Sequence, residues 1–191
     1  MNKVTLECFC GALKGELEVV SNKTSFHVHC LCKDCQSFAS YLKNEDKILD
    51  EHGGSELFQT YPAYLKITEG KDKLACIQLK PKSLMRWHTT CCNTPVANTM
   101  PSAKMPFVGV SVKLMKFSSD EKKLKVLGPV IMKAFGHSAR GPKPADAHDT
   151  FPKSFMPRIL KFMAIGFLKS QYRPSPFFAD NQPTFKPKVL S

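Results

Sequence analysis

A chain of 191 residues, 42% hydrophobic and 23% charged, is long enough to bury a core without disulfide staples, so stability alone does not call for its eight cysteines. No apolar run approaches the roughly 20 residues that span a bilayer, and residues 1–7 lack the apolar core of a secretory signal. The expected setting is therefore a reducing cytoplasm, where clustered cysteines point to metal or redox chemistry rather than disulfides.

The formal charge of +12 is unevenly placed: residues 1–100 hold 12 Lys and Arg against 11 Asp and Glu (+1), and residues 101–191 hold 16 against 5 (+11). Such asymmetry favours an anionic partner: nucleic acid, an acidic protein, a membrane surface or a small anion. The lysines are scattered rather than packed into a run, which is also how a solvated basic surface looks.

In chain order, Cys8-Phe9-Cys10-Gly11 comes first, followed by a strand over residues 13–20 with apolar Leu13, Leu17 and Val19 at the two-residue period of a half-buried sheet. Residues 26–30 alternate again, so that Phe26, Val28 and Cys30 share one face and His27 and His29 the other, expected to be the surface. Cys30-Leu31-Cys32-Lys33-Asp34-Cys35 follows and leads into a short helix over 33–42, with Cys35 in its first turn, where the helix dipole favours thiolate. Residues 43–54 read as a loop. Short strands are expected over 56–61, 63–67, 74–79, 83–88 and 107–112, separated by Pro62, a turn at 69–72 and Pro81. Cys76 sits inside one of them as a core residue. Cys91-Cys92-Asn93-Thr94-Pro95 closes the series.

From residue 118 the chain is basic and proline-punctuated. Residues 155–169 predict one helix with a wide apolar face, packing on the sheet or on the second subunit of a homodimer, or else lying on a lipid surface. Residues 172–191 are expected to be extended and partly mobile.

Seven cysteines thus form three groups. Zinc prefers tetrahedral thiolate or imidazole ligands; structural sites close all four positions, whereas catalytic sites keep three protein ligands. Cys30, Cys32 and Cys35 form a local three-ligand cradle with no obvious fourth member, the composition of an open and reactive site. Cys8, Cys10 and Cys92 are placed to clamp two distant segments, with Cys91, His88 or a water as the fourth ligand. Cys91 requires a turn, because neighbours on an extended chain point to opposite sides. A metal-free redox relay or a catalytic thiol with resolving partners is the competing reading of Cys32-x-x-Cys35.

Taken together, Cys8-x-Cys10-Gly11, Cys30-x-Cys32-x-x-Cys35 and Arg86-Trp87 followed by Cys92-Asn93-Thr94-Pro95 resemble the glutathione-dependent formaldehyde-activating enzyme family, which includes centromere protein V. The similarity covers roughly residues 4–115. It implies a mainly β fold, an antiparallel β-tent binding zinc over residues 4–117; residues 118–191 lie outside the resemblance and are expected as a helical and irregular extension. It further implies a structural zinc on Cys8, Cys10 and Cys92, and a second zinc site at Cys30, Cys32 and Cys35 associated with glutathione and formaldehyde. The chemistry implied is that of a carbon–sulfur lyase acting on a thiol and an aldehyde, with Lys33 among the basic residues near glutathione's carboxylates. The family pattern Arg-x-Phe-Cys-x-x-Cys-Gly-Thr differs here, with Thr89 at the first cysteine and Asn93 at the glycine. The alternative function is a non-catalytic zinc-stabilised binding module whose basic C-terminal third contacts nucleic acid or another acidic partner.

Overall fold

The structure, a computed structural model, describes residues 2–19 and 25–190. Val20, the end of the first predicted strand, lies outside them, as do Met1 and Ser191. The fold is mainly β. Its first strands are β1 (Asn2–Glu7), β2 (Lys14–Val19), β3 (Phe26–Cys30), β4 (Ser55–Thr60) and β5 (Leu65–Glu69). There follow β6 (Leu74–Gln78), β7 (Met85–Thr89), β8 (Pro95–Thr99), β9 (Val108–Ser111) and β10 (Met115–Lys116). The C-terminal third adds β11 (Met132–Ala134), the short hairpin β12 (Phe178–Ala179) and β13 (Gln182–Pro183), and β14 (Lys188–Val189).

These strands form a four-stranded sheet in the order β10-β1-β2-β5 and an eight-stranded sheet in the order β11-β3-β4-β9-β8-β7-β6-β14. Every pair is antiparallel except the two at the ends of the large sheet, where β11 joins β3 and β14 joins β6 in parallel. Period-two alternation fixes the small sheet: Val4, Leu6 and Leu17 are buried, while Thr5 is exposed. Those side chains meet Trp87, Val96, Val108 and Val110 of the large sheet in the main core. β7 and β8 are buried along their whole length, so their polar side chains must find partners inside. The Trp87 indole does so by donating to Thr99 Oγ1 at 3.0 Å.

The helix predicted over 33–42 is α1 (Lys33–Tyr41), and the expected loop after it contains one helical turn, α2 (Glu45–Ile48). The sequence expectations do not include β1, β8, β10, β11, β12, β13, β14 or α3 (Asp120–Leu127). β8 opens on Pro95 and lacks clear alternation, and α3 is mostly charged, held instead by the Ser119 hydroxyl, which accepts from the Lys122 amide at 3.1 Å.

The last predicted helix is α4 (Met156–Leu168). It docks on its own chain: the Phe162 ring stacks on Tyr61 at 4.3 Å, and Tyr61 Oη donates to the Phe162 carbonyl at 2.7 Å. Residues 172–191, expected as an extended tail, carry Phe177 fully into the main core, 4.9 Å from the Trp87 ring. Proline-rich sequence hides this anchor because its apolar residues have no period.

Truncating a buried aromatic removes its transfer energy and leaves a cavity. Phe177→Ala is expected to cost about 3–5 kcal/mol in denaturant unfolding; a cost below 1 kcal/mol would mean that the tail is not an integral part of the core.

Candidate metal centres

The loop between β1 and β2 carries Cys8 and Cys10, and the turn between β7 and β8 carries Cys91 and Cys92. One Sγ from each comes within 4.8 Å of all the others, an arrangement able to hold a metal ion. The Sγ–Sγ distances are 3.7 Å for Cys8–Cys10, 3.9 Å for Cys8–Cys91, 3.4 Å for Cys10–Cys91 and 3.7 Å for Cys91–Cys92. All far exceed the roughly 2.05 Å of a disulfide. Gly11, at φ +78°, lets the first loop fold back so that the Leu13 amide donates to Cys8 Sγ at 3.2 Å. The Phe9 amide donates to Thr94 Oγ1 at 2.9 Å and ties the two loops together.

Cys91 is therefore the fourth thiol. His88 is not in the cluster: it is buried against Phe38 and Tyr41, with its Nδ1 at 3.2 Å from the Thr89 carbonyl. The turn that Cys91 requires is supplied by Asn93, whose φ of 53° is left-handed, a conformation that Asn tolerates better than most residues. Asn93 thus occupies the geometry a glycine would take. Thr89, at the other departure from the family pattern, lies with Thr94 around Cys92, their hydroxyls 3.4 and 3.1 Å from its Sγ. Burial raises the Cys92 pKa, but these hydrogen bonds outweigh it and hold the thiol down at about 6. Burial, with the thiol of Cys10, pushes Cys91 up to about 12.

The second cluster lies where β3 enters α1. Sγ atoms of Cys30, Cys32 and Cys35 fall within 4.8 Å of one another. Cys32 is the N-cap of α1, and its sulfur accepts from the Cys35 amide at 3.4 Å. Thiols of Cys30 and Cys32 hydrogen-bond to Cys35 and hold it well below the ordinary thiol range, helped by the Arg86 guanidinium. Arg86 Nη1 is 3.9 Å from Cys35 Sγ and 3.5 Å from Asn98 Oδ1, and the guanidinium lies 5.4 Å from the Phe38 ring centroid. Cys32 receives a hydrogen bond from Cys30, yet its own bond to Cys35 and its burial push it up to about 11. Cys30 is raised by bonding to Cys32 and Cys35 and by burial. Three thiolates in contact repel one another, so ionising all three calls for a cation among them.

The three cysteines line a cavity of 540 Å³. Its remaining walls are mostly apolar and come from β3, β4, β11 and the segment after β11. A polar cleft of 460 Å³ shares His29 with this cavity, is otherwise lined by residues that include Asp50, Glu56 and Lys123, and holds no cysteine.

A family profile for DUF6151, described as a family of unknown function, matches residues 1–186. The chain belongs to the DUF6151 family. No curated protein matches it. A solved protein from Rhodobacter sphaeroides, a structural-genomics target, is similar at 15% identity with a TM-score of 0.45, covering 61% of this chain and 92% of its own.

In this DUF6151 chain both histidines expected at the surface are buried. His27 has its ring nitrogens 2.9 Å from the Gly128 carbonyl and 3.2 Å from Glu56, whose carboxyl is driven to about 2 by His27 and Lys123 against its own burial. His29 Nε2 lies 2.8 Å from Asp50 Oδ2, its Nδ1 is buried without a partner, and burial pushes its pKa down. The second face of β3 is covered by α3 and the loop after α2, which alternation within the strand does not report. Arg86, Thr89 and Thr94 are cysteine partners that motif spacing does not reveal. A cation inside a strand that buries every residue was the available signal for Arg86.

If each cluster holds its own ion, Cys91→Ser and Cys32→Ser should each lower metal content from two ions to one per chain, counted by native mass spectrometry, and the double variant should hold none. Loss of both ions in either single variant would show that the clusters are not independent.

Proposed function

We propose that the chain is a zinc protein whose three-cysteine site performs carbon–sulfur lyase chemistry on thiol–aldehyde adducts. One observation carries the reading: three clustered thiols, with no fourth ligand grouped with them among the described residues, line a cavity of substrate size. A Zn–S length of about 2.3 Å gives tetrahedral edges of roughly 3.8 Å, and the four-cysteine cluster has Sγ–Sγ distances of 3.4, 3.7 and 3.9 Å. All-thiolate sets suit zinc among the common divalent ions. Cys8, Cys10, Cys91 and Cys92 would hold a structural ion joining the two sheets, which supports the β-tent arrangement. Cys30, Cys32 and Cys35 would hold the second ion with one position free.

When bound there, zinc supplies a positive, open position that favours the thiolate form of a substrate thiol. The protein's part is preparation. Arg86 stabilises negative charge on Cys35, Asn98 orients Arg86, and the start of α1 adds its amides and dipole at Cys32. Apolar walls limit competing water. In the synthetic direction a C–S bond forms between the thiol sulfur and the aldehyde carbon, the carbonyl π pair moves to oxygen, and the thiol's proton ends on that oxygen. Cleavage is the reverse.

Cys32→Ser is expected to reduce adduct turnover by at least about 100-fold, followed by NMR of the hydroxymethyl thioether, while the four-cysteine ion and the circular dichroism are retained. Turnover that survives in this variant removes the mechanism.

A second reading, a module that binds an anionic surface, is favoured by α4. Its outer face exposes Leu160 (63%), Phe167 (47%) and Leu168 (87%). Lys153, Arg158, Lys161, Lys169 and Arg173 are spread along residues 150–179, where no acidic residue occurs. Apolar side chains set among cations suit an anionic bilayer surface. The chain should then sediment with phosphatidylserine vesicles at low salt, weakly at high salt, and Leu168→Asp should abolish this. Equal sedimentation with neutral vesicles, or none, excludes it.

A further inference from the structure

Given a thiol held at Cys30, Cys32 and Cys35, as proposed above, the cavity beside them constrains what that thiol carries. Its volume, 540 Å³, lies within the roughly 300–1,000 Å³ of pockets for drug-sized ligands and far exceeds the needs of a one-carbon aldehyde. Val28, Leu57, Phe107, Met132, Phe135 and Phe151 supply most of its apolar lining. Three of these come from the C-terminal third, which therefore shapes the pocket.

The charged and titratable groups are few and mostly committed: His29 is paired with Asp50, and His137 with the Asp149 carbonyl. Arg86 is engaged with Cys35 and Asn98. Lys33 and Asp34 are exposed and cancel in charge. A tripeptide thiol with two carboxylates and an ammonium would bring three charges to walls offering almost no fixed partners, at a desolvation cost. The remaining polar side chains of the wall are His29, Gln59, Asn98, His137 and Ser138, of which Gln59 Oε1 and His29 Nδ1 are buried without a hydrogen-bond partner.

We infer that the thiol accommodated at this site has an apolar carbon skeleton, aryl or medium-chain alkyl, with the C-terminal third forming the wall that selects it. Burial of one methylene corresponds to roughly a three- to fourfold gain in affinity. Affinity should therefore climb with chain length until the cavity is filled.

The full chain loaded with cobalt(II) provides a readout independent of turnover, because a thiol entering the open position changes the sulfur-to-cobalt absorption. Titrations with ethanethiol, butanethiol, hexanethiol, benzyl mercaptan and glutathione are compared. Affinity is expected to rise about threefold or more per methylene and to favour benzyl mercaptan over glutathione by at least about tenfold. Phe151→Asp should erase that preference, and Phe151→Leu should keep it. The cobalt spectrum before thiol addition reports whether each variant is folded and loaded.

Glutathione binding as tightly as the apolar thiols, or a flat response to chain length, overturns the apolar skeleton and leaves thiol binding intact. A spectrum that no thiol perturbs overturns thiol binding at the site, and the skeleton with it.

Discussion

Sulfur atoms in contact cannot all carry negative charge unless a cation sits among them, and two such groupings occur in this fold. The four-cysteine group draws on positions more than eighty residues apart in sequence, so the register of both sheets must be right before the sulfurs meet. Its supporting contacts are equally distant. Phe9 reaches Thr94, and the Asn44 amide donates to the Cys92 and Asn93 carbonyls at 3.1 and 3.3 Å. Metal binding at this junction would be coupled to folding, since the unfolded chain holds only pairs of adjacent thiols. The three-cysteine group differs in kind. All its sulfurs come from one strand-to-helix connection, so the ligand set is local and one side is left for something other than protein.

That difference explains what was legible in the sequence. Cys30, Cys32 and Cys35 could be grouped from spacing alone because β3 and α1 place them without long-range help. The alternative ligands for the other cluster could not be separated, because the choice depends on the left-handed conformation of Asn93, and a single Asn announces no such thing. Arg86 lies fifty-one residues from Cys35 and meets it only because β7 passes beneath α1. His27 and His29 show the limit of periodicity in another way. Alternation correctly puts them on one face of β3, but whether that face meets water depends on α3 and the 49–54 segment, which pack there for reasons outside the strand.

The strands β2 to β7 and β9 were legible from alternation and from the proline and glycine that punctuate them. Among the elements that were not, β8 has no clear alternation after its opening proline, and α3 has little apolar stripe. Both are held by context. β8 is paired on each side, by β7 and β9, and α3 is capped by Ser119 and pinned by Lys123 on Glu56 at 2.6 Å.

The uneven charge of the sequence acquires a partial internal explanation. Lys116, Lys123 and Arg140, all from the basic half, reach Glu7, Glu56 and Glu45 of the near-neutral half. Arg140 also donates to Gln36 of α1, whose own amide holds the Leu31 and Ser138 carbonyls, so this contact fastens the C-terminal third beside the three-cysteine loop. Exposed ion pairs contribute little stability on their own, but they set orientation. Together with the buried aromatic anchors Phe162 and Phe177, these pairs place the basic half so that β11 extends the sheet at β3 and Met132, Phe135 and Phe151 line the cavity with the thiols. What reads in the sequence as an appendage with spare charge is, in the folded chain, the wall of the cavity that the cysteines face.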